Sequence, residues 1–430
     1  MLPIMADMQE EIEREISYLI TDEDIERSKL LVGVDSARGG REFYKVLTPD
    51  AIRNFARGYG DDNPLFVDED YGPTTRWGSQ IAPPMIGIAT ASSLEGDRVP
   101  EEIRTATRGL FAGIHVFVSG QSTEWYRPLL PGDELFSFGG IESTEVKKSE
   151  FADRSVIRVS RTVRMNQRAE IVQVNRVLMI HTERKTARDK GKYADIKPAT
   201  YTEEQIAELD EIYAQEQVRG AEPRYFEDVE VGEALPPMAK GPLTLTEIVC
   251  FHAGGYGFAP YNISSSRIGY KNRQRIPKFY IKNAAGIPDV SQRVHWESDW
   301  AQAIGNPMAY DYAVMRECWL THYLTDWIGD DGWLFCQHDE MRKFNYVGDA
   351  HVITGEVTGK RVEDGRCLVE LEFRATNQRD VVTAPANATV VLPSREHGPV
   401  RLPDPPADLQ RKAVEMMGRH HELLRERKQA

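Results

Sequence analysis

The second half of the chain repeats the layout of the first, and this repeat constrains the fold more than any other feature. Phe66 lies 18 residues before Pro84, and His295 lies 18 residues before Ala313. Each pair is preceded by a short helical pattern that a threonine caps, and each is followed by a run of strand-like segments. A repeat of both order and spacing indicates two domains built on one supersecondary plan.

Turn signals and strand patterns recur in register downstream of these pairs. Pro131-Gly132-Asp133 matches Val347-Gly348-Asp349, and Asn166-Gln167 matches Asn377-Gln378. Around them, apolar and polar residues alternate, as in DELFSFGGIES, RSVIRVSRTVRM and RCLVELEFRATN, which is typical of half-buried strands. The pattern predicts long antiparallel strands in both halves.

A long amphipathic helix is predicted to open near Tyr312. Its apolar residues recur at helical spacing along one stripe: Met315, Cys318, Trp319, Tyr323 and Leu324. Strands wrapped round one such helix would bury it completely. The predicted fold class is therefore α+β, with an antiparallel sheet wrapped round a central helix in each half.

The sequence divides into five predicted parts. They are an acidic helical extension (1–44), a first sheet-and-helix domain (45–185), a linker with a polar helix (186–224), a second domain (225–395) and a polar helical tail (396–430). The linker helix begins at a capping box from Thr202 to Gln205.

Composition excludes several classes of function. The net charge of −14 argues against nucleic acid or an anionic membrane as the main partner. No apolar run approaches the length of a membrane span. The four cysteines form no close pair in sequence, which predicts reduced thiols and a cytoplasmic location.

One segment combines groups suited to proton transfer. Asp289 and His295 precede the helix that opens near Ala313. A carboxylate and an imidazole can move protons, and a backbone N–H at a helix N-terminus can stabilise a developing oxyanion. An ordinary histidine titrates near ~6.5, so a rate that needs its neutral form is expected to fall as pH drops through roughly 6 to 7.

Two passages, GDDNPLFVDEDYGPTTRWG and EWYRPLLPGDEL, resemble the MaoC-like dehydratases, also called (R)-specific enoyl-CoA hydratases, of the hotdog fold. The resemblance covers roughly 45–185 and 225–395. It implies a double hotdog and a hydro-lyase of fatty acid metabolism. The family's reaction adds water to a 2-enoyl thioester of coenzyme A, or removes it, with one Asp and one His.

In the first half, the resemblance implies an incomplete site. Asp61 falls in the place of the family's catalytic acid, and Asn63 fits the same loop. Phe66 replaces the histidine and cannot carry a proton. Pro84 replaces the glycine whose N–H holds the thioester oxygen, and proline has no N–H. The first half is therefore expected to be inactive and to form a wall of the acyl pocket.

In the second half, the resemblance implies a working site. His295 falls in the histidine place, and Ala313 falls in the glycine place and keeps its N–H. Asp289 lies one residue from the place of the acid, so it is either the catalytic acid or a turn residue. Glu297 keeps the family's acid two residues after the histidine and is the alternative acid.

The resemblance also implies a ligand and partners. Coenzyme A enters as part of the substrate, and its phosphates make Arg293, Arg342 and Lys343 candidates for the entrance rim. No metal and no redox cofactor are expected, and a homodimer is expected. Two other functions stay open: a catalytically silent acyl-CoA binding or partner protein, and a hotdog thioesterase.

Overall fold

The computed structural model describes residues 19–40, 43–112, 114–147, 154–183, 196–256, 263–304 and 306–429. The α-helices are α1 (Asp22–Lys29), α2 (Pro49–Gly58), α3 (Pro64–Val67), α4 (Glu101–Ala106), α5 (Glu203–Gln215), α6 (Leu245–Ala253), α7 (Ser266–Arg275), α8 (Ser298–Ala303), α9 (Ala313–Ile328) and α10 (Ala407–Gln429). Short 3-10 helices cover Gly72–Thr74, Pro84–Ile88, Phe226–Asp228, Pro277–Phe279 and Ser291–His295.

The strands are β1 (Ser36–Ala37), β2 (His115–Trp125), β3 (Leu135–Lys147), β4 (Ser155–Asn166), β5 (Ile171–Thr182), β6 (Ala234–Lys240), β7 (Tyr280–Lys282), β8 (Pro288–Val290), β9 (Trp333–Glu340), β10 (His351–Glu363), β11 (Arg366–Asn377) and β12 (Val382–Leu392). Ten of them form one sheet in the order β1-β3-β4-β5-β2-β9-β12-β11-β10-β6. The antiparallel pair β2–β9, with Gln121 opposite Asp339, joins the two halves into this sheet. The predicted α+β double hotdog is confirmed.

Helix α9 lies at the centre of the molecule, as its apolar stripe predicts. All residues from Met315 to Ile328 are buried. The apolar cluster around it includes Leu320 and Leu324 of the helix, Phe55 of the first half and Phe373 of the second. One hydrophobic core therefore serves both halves, and burial of this apolar surface is the main force that holds them together.

The described residues of the first half form no equivalent of this helix. Where the sequence repeat places a central helix, Pro84–Ile88 forms only a short 3-10 helix. The segment that follows, ATASS, contains Thr90, Ser92 and Ser93, whose side chains favour helices weakly. Gly87 also packs closely against the sheet: a Cβ there would lie 2.9 Å from Gln173 Oε1 and 3.0 Å from Arg164 Cδ. The inner face of the first-half sheet is consequently less covered than that of the second.

The repeat extends to individual hydrogen bonds. The N–H of Gly132 donates to the carbonyl of Leu47 at 2.7 Å, and the N–H of Gly348 donates to the carbonyl of Leu243 at 2.7 Å. The glycines share positive φ angles of 91° and 94°, which favour glycine at this turn. The two matched turns seen in the sequence are therefore the same structure.

The ends of the chain depart from the prediction of a polar surface tail. Helix α10 buries Leu409, Ala413 and Met417 in a cluster with Phe138 and Val163 of the first-half sheet. The tail after the second domain thus covers the outer face of the first. At the other end, residues 1–18 of the predicted acidic helix lie outside the described residues, and α1 is the part described.

The linker between the domains agrees more closely with the prediction. Thr202 caps α5 with the expected capping box, while residues 184–195 of the linker lie outside the described range. All four cysteines are free thiols, and Cys318 and Cys367 are buried. Among the described helices, none has the length and hydropathy needed to cross a bilayer.

Helices α2 and α6 cross at equivalent glycines, which generates a test of the packing. A Cβ on Gly58 would lie 3.0 Å from Gly254 Cα and 3.2 Å from the carbonyl oxygen of Cys250. We expect Gly58→Ala to lower the free energy of unfolding by about 1–3 kcal/mol, because the added methyl overpacks the crossing. Denaturant titration measures the change.

Gly418 in α10 provides the matched control, because a Cβ there would meet nothing within 4 Å. Gly418→Ala should be neutral or should stabilise by up to ~1 kcal/mol, since alanine favours the helix. Equal effects of the two substitutions would show that the two helices do not need the close approach of Gly58 and Gly254.

Candidate active site

A pocket with about 680 Å³ of empty volume opens between the two halves. Its walls are mostly apolar and include Trp77, Trp125 and Trp333. The first half and the end of α9 supply the rest of the lining that concerns the site. These residues are Leu65, Phe66, Pro83, Pro84, Arg127, Arg164 and Gln173 of the first half, and Ile328, Gly329 and Asp330 at the end of α9. An apolar cleft with a few polar groups is the usual form of a small-molecule site.

Asp61 and His322 meet beside this pocket, one from each half. Asp61 follows α2, and its carboxylate accepts a hydrogen bond from the Tyr59 hydroxyl (2.9 Å) and from the Asn63 N–H (3.0 Å). His322 projects from α9 and places Nε2 3.6 Å from Asp61 Oδ1. Both side chains are buried. The acid that the sequence indicated in the first half therefore lies beside a histidine of the second.

Two further residues, one on β6 and one on α9, contact the imidazole of His322 and determine which of its nitrogens carries the proton. Lys240 Nζ lies 2.9 Å from Nδ1, and Asp326 Oδ2 lies 3.1 Å from Nε2. A charged lysine can only donate, so Nδ1 accepts and the imidazole proton resides on Nε2. Nε2 lies near the carboxylates of Asp326 and Asp61 but forms a hydrogen bond with neither of them.

Burial dominates the protonation equilibria of the cluster. It lowers the pKa of His322 to about 4, although the charge of Asp61 opposes the change. It raises the pKa of Asp326 to about 7, against the lowering effect of Lys240. It also raises the pKa of Asp61 and lowers that of Lys240. Near neutral pH the cluster therefore holds a neutral imidazole beside Asp326, whose pKa lies in the range useful for acid–base catalysis.

Two residues connect the cluster to the pocket. Asn63 follows Asp61 in the loop and lines the pocket, and its side chain lowers the pKa of Asp326 slightly. Thr325, which precedes Asp326 on α9, lines the pocket from the other half. A ligand in the pocket would therefore lie next to the cluster.

The same three groups have the spacing of metal ligands. One ligand atom from each of Asp61, His322 and Asp326 lies within 4.8 Å of the others. Lys240 contacts the same imidazole, and its positive charge opposes a cation at that point. The arrangement suits proton transfer better than metal binding.

His295 lies in a second polar centre among aromatic rings. Its Nδ1 donates to the Tyr310 carbonyl at 2.9 Å, which leaves the lone pair on Nε2. The ring stacks on Tyr312 with centroids 3.8 Å apart. Burial lowers its pKa to about 4. The Tyr312 hydroxyl, in turn, lies 3.0 Å from His252 Nε2 and accepts from Gln292 at 3.0 Å.

The other residues predicted for the second-half site are held by different partners. Asp289 lies in β8 and accepts a hydrogen bond from the N–H of Val290. Glu297 forms an ion pair with Arg293 at 2.9 Å. Neither carboxylate forms a hydrogen bond or an ion pair with His295 among the contacts of the described residues. Ala313 is the first residue of α9, so its N–H has no acceptor within the helix.

The basic residues predicted to rim an entrance occupy different environments. Arg293 is 1% exposed, lies over Trp300 and donates to the carbonyls of Ile281 and Val290. A guanidinium so enclosed does not rim an entrance, and this part of the prediction is corrected. The other two residues predicted for the rim, Arg342 and Lys343, are exposed, and Arg342 forms an ion pair with Glu340.

His322 is the group that the sequence reasoning missed. The apolar stripe predicts that the helix is buried, but it gives no sign of the polar pair His322 and Asp326, which lie one turn apart. A histidine and a carboxylate at this spacing on a completely buried helix are a signal in themselves, because burial of such groups is costly unless they are paired.

Comparisons with known proteins find that the chain is similar to dehydratases. Residues 31–174 match the model of a family described as the FAS1-like dehydratase domain region. A solved structure of a MaoC-like dehydratase is similar over 84% of this chain and 98% of its own, with 15% identity and a TM-score of 0.54. A putative MaoC domain protein dehydratase from Chloroflexus aurantiacus is similar over 85% and 96%, with 10% identity and a TM-score of 0.51.

No curated protein matches the chain significantly. At these low identities the solved structures establish the fold, and the family model adds a match within the first half. The resemblance to MaoC-like dehydratases is confirmed on this basis.

The raised pKa of Asp326 predicts how stability depends on pH. The folded-state pKa of about 7 exceeds the ordinary 3.8, so the stabilisation from the protonated carboxyl is full below pH 4 and is lost as pH rises to 7. The free energy of unfolding of Asp326→Asn should therefore rise relative to the unsubstituted protein between pH 4 and 7. Chemical denaturation at several pH values measures this.

Asp70→Asn, at an exposed carboxyl of the first half, is the control and should follow the unsubstituted protein. A constant difference between Asp326→Asn and the unsubstituted protein from pH 4 to 7 would contradict the proposed burial of Asp326 in its charged cluster.

Proposed function

We propose that the protein is a hydro-lyase that adds water to a 2-enoyl thioester of coenzyme A, or removes it from the 3-hydroxyacyl thioester. The observation that carries this proposal is the pairing of Asp61 and His322 across the two halves, beside an apolar pocket. The similarity to dehydratases and the acid–base character of the cluster both support the proposal.

Asp61 is proposed as the base in hydration. Its carboxylate is oriented by the Tyr59 hydroxyl and the Asn63 N–H, and its raised pKa brings it nearer to that of a useful base. It takes one proton from water, and the water oxygen bonds to Cβ of the acyl chain. The electron pair of the Cα–Cβ double bond moves to Cα.

His322 is proposed to return a proton to Cα through Nε2–H. As that proton leaves, Nδ1 accepts one from Lys240, whose pKa is lowered by burial. The imidazole remains neutral throughout, which avoids an imidazolium in a buried site. Transfer of the Asp61 proton back through the imidazole to Lys240 then restores the starting state, so the protons balance.

The contacts of His295 argue against the catalytic role that was predicted for it. Its ring is stacked and its Nδ1 is bound, while the predicted acids Asp289 and Glu297 have other partners. The proposal therefore moves the acid–base pair from Asp289 and His295 to Asp61 and His322. A role for Ala313 as oxyanion donor stays a prediction, as does a homodimer.

Paired substitutions distinguish the two sites. In the proposed site, His322→Gln and Asp61→Asn should each lower the rate of hydration of 2-enoyl-CoA substrates by roughly 10²–10⁴-fold, because each removes an acid–base group. His295→Gln and Asp289→Asn are the matched controls and should retain most of the activity. Loss of enoyl absorbance measures the rate, and thermal unfolding checks the fold of each variant.

The opposite result, with activity lost only in the His295 and Asp289 variants, would assign the reaction to the second half. Release of free thiol without loss of the enoyl group would instead identify a thioesterase. Binding without either reaction would identify a silent acyl-CoA binding protein.

The pH dependence of the rate provides an independent prediction. Because the pKa values of His322 and His295 are both lowered to about 4, the fall in rate between pH 6 and 7 expected of an ordinary histidine should be absent. Asp326 should contribute a change of rate near pH 7, and this contribution should disappear in Asp326→Asn. A pH profile that Asp326→Asn leaves unchanged would contradict the assignment to Asp326.

A further inference from the structure

Arg164 places a positive charge in the pocket on the inner face of the first-half sheet. It lies on β4 opposite Gln173 of β5, and both residues line the pocket. The guanidinium donates to the Gln173 side-chain oxygen at 2.7 Å. The same Gln173 side chain donates to the Pro84 carbonyl at 3.4 Å, which fixes the amide orientation.

The surrounding chain leaves space for the Arg164 side chain. The 3-10 helix Pro84–Ile88 passes over it, and a Cβ at Gly87 would lie 3.0 Å from Arg164 Cδ and 3.2 Å from its Nε. A full central helix in this half would cover the same face of the sheet. The short helix and the glycine together give the guanidinium access to the pocket.

Arg164 also has no acid to balance its charge. None of the ion pairs formed within the described part of the chain includes it, and the charge of Arg38 repels it. Burial, and to a smaller extent Arg38, lower its pKa to about 10. A guanidinium that faces an apolar pocket without a counter-charge is matched by an anionic ligand, and its planar fork suits a carboxylate or a phosphate.

Position favours a carboxylate on the acyl chain over a phosphate of coenzyme A. The other arginine of the pocket, Arg127, is more exposed and is already held by the carbonyls of Tyr126 and Pro403 and by Asp404 at 3.7 Å. Arg164 lies instead among Trp125, Leu135 and Val172, where an acyl chain would pack. A bulky nucleotide phosphate is less suited to that enclosed apolar site than a chain end is.

We infer that Arg164, held by Gln173, binds a carboxylate on the acyl chain, so that the substrate is the mono-thioester of a dicarboxylic acid. This inference rests on the proposed function for the reaction but concerns the ligand alone. An acyl chain that carries a carboxylate opposite the thioester would bridge the arginine and the coenzyme A moiety outside the pocket.

Binding of two saturated thioesters tests the inference without relying on turnover. Succinyl-CoA and butyryl-CoA have acyl chains of similar length and differ in the terminal carboxylate. We expect the protein to bind succinyl-CoA roughly 10- to 100-fold more tightly, which is the range of a charged hydrogen-bonded contact. Isothermal titration calorimetry measures both dissociation constants.

Three variants identify the group responsible. Arg164→Gln should abolish the preference for succinyl-CoA while leaving the affinity for butyryl-CoA nearly unchanged. Arg164→Lys should retain part of the preference, because it keeps the charge but loses the planar fork. Arg127→Gln should affect both ligands equally if it acts at all.

Two results would overturn the inference. Equal affinity for the two thioesters in the unsubstituted protein would exclude a carboxylate site. Equal weakening of both ligands by Arg164→Gln would show that the arginine binds the phosphates of coenzyme A or supports the fold. Preference for succinyl-CoA without hydration of any enoyl thioester would uphold the carboxylate site and reject the hydro-lyase.

Discussion

The structure depends on burial of one helix, α9, against the single ten-stranded sheet that the two halves form together. Every residue from Met315 to Ile328 is buried, so the helix contributes apolar surface to a core shared by both halves. Several of its buried residues are nevertheless polar or charged, including Arg316, Glu317, His322 and Asp326. Such groups are costly inside a protein unless partners compensate them. Their partners come from both halves, and this ties the position of the helix to the chemistry of the site.

This arrangement explains how a degenerate repeat can still contain a complete site. In the first half, Phe66 and Pro84 lack the proton carrier and the N–H expected from the family. The same half retains Asp61 in a loop fixed by Tyr59 and Asn63. The central helix of the other half brings His322 to that loop. The first half has only the short 3-10 helix Pro84–Ile88 at the equivalent position, and Arg164 lines the pocket beside it.

The sequence predicted the repeat and the buried helix from spacing and periodicity, and the two hotdog halves from the family resemblance, but it assigned Asp61 to a site that was expected to be inactive. It could not predict the contact between Asp61 and His322, which are far apart in sequence and meet only when both halves pack. The same limit applies to helix α10, whose Leu409, Ala413 and Met417 were taken for surface residues and pack on the first half. His295 and Asp289 are near in sequence, yet β8 and the 3-10 helix Ser291–His295 give their side chains different partners.

The central claim is that Asp61 and His322 act as one catalytic unit across the two halves. A double-mutant cycle on the rate of hydration measures this directly, because residues that act together are not additive. The account predicts that Asp61→Asn combined with His322→Gln lowers kcat by about as much as either change alone. Effects that multiply, with each variant keeping its full share of the loss in the presence of the other, would contradict a shared role and separate the carboxylate from the imidazole.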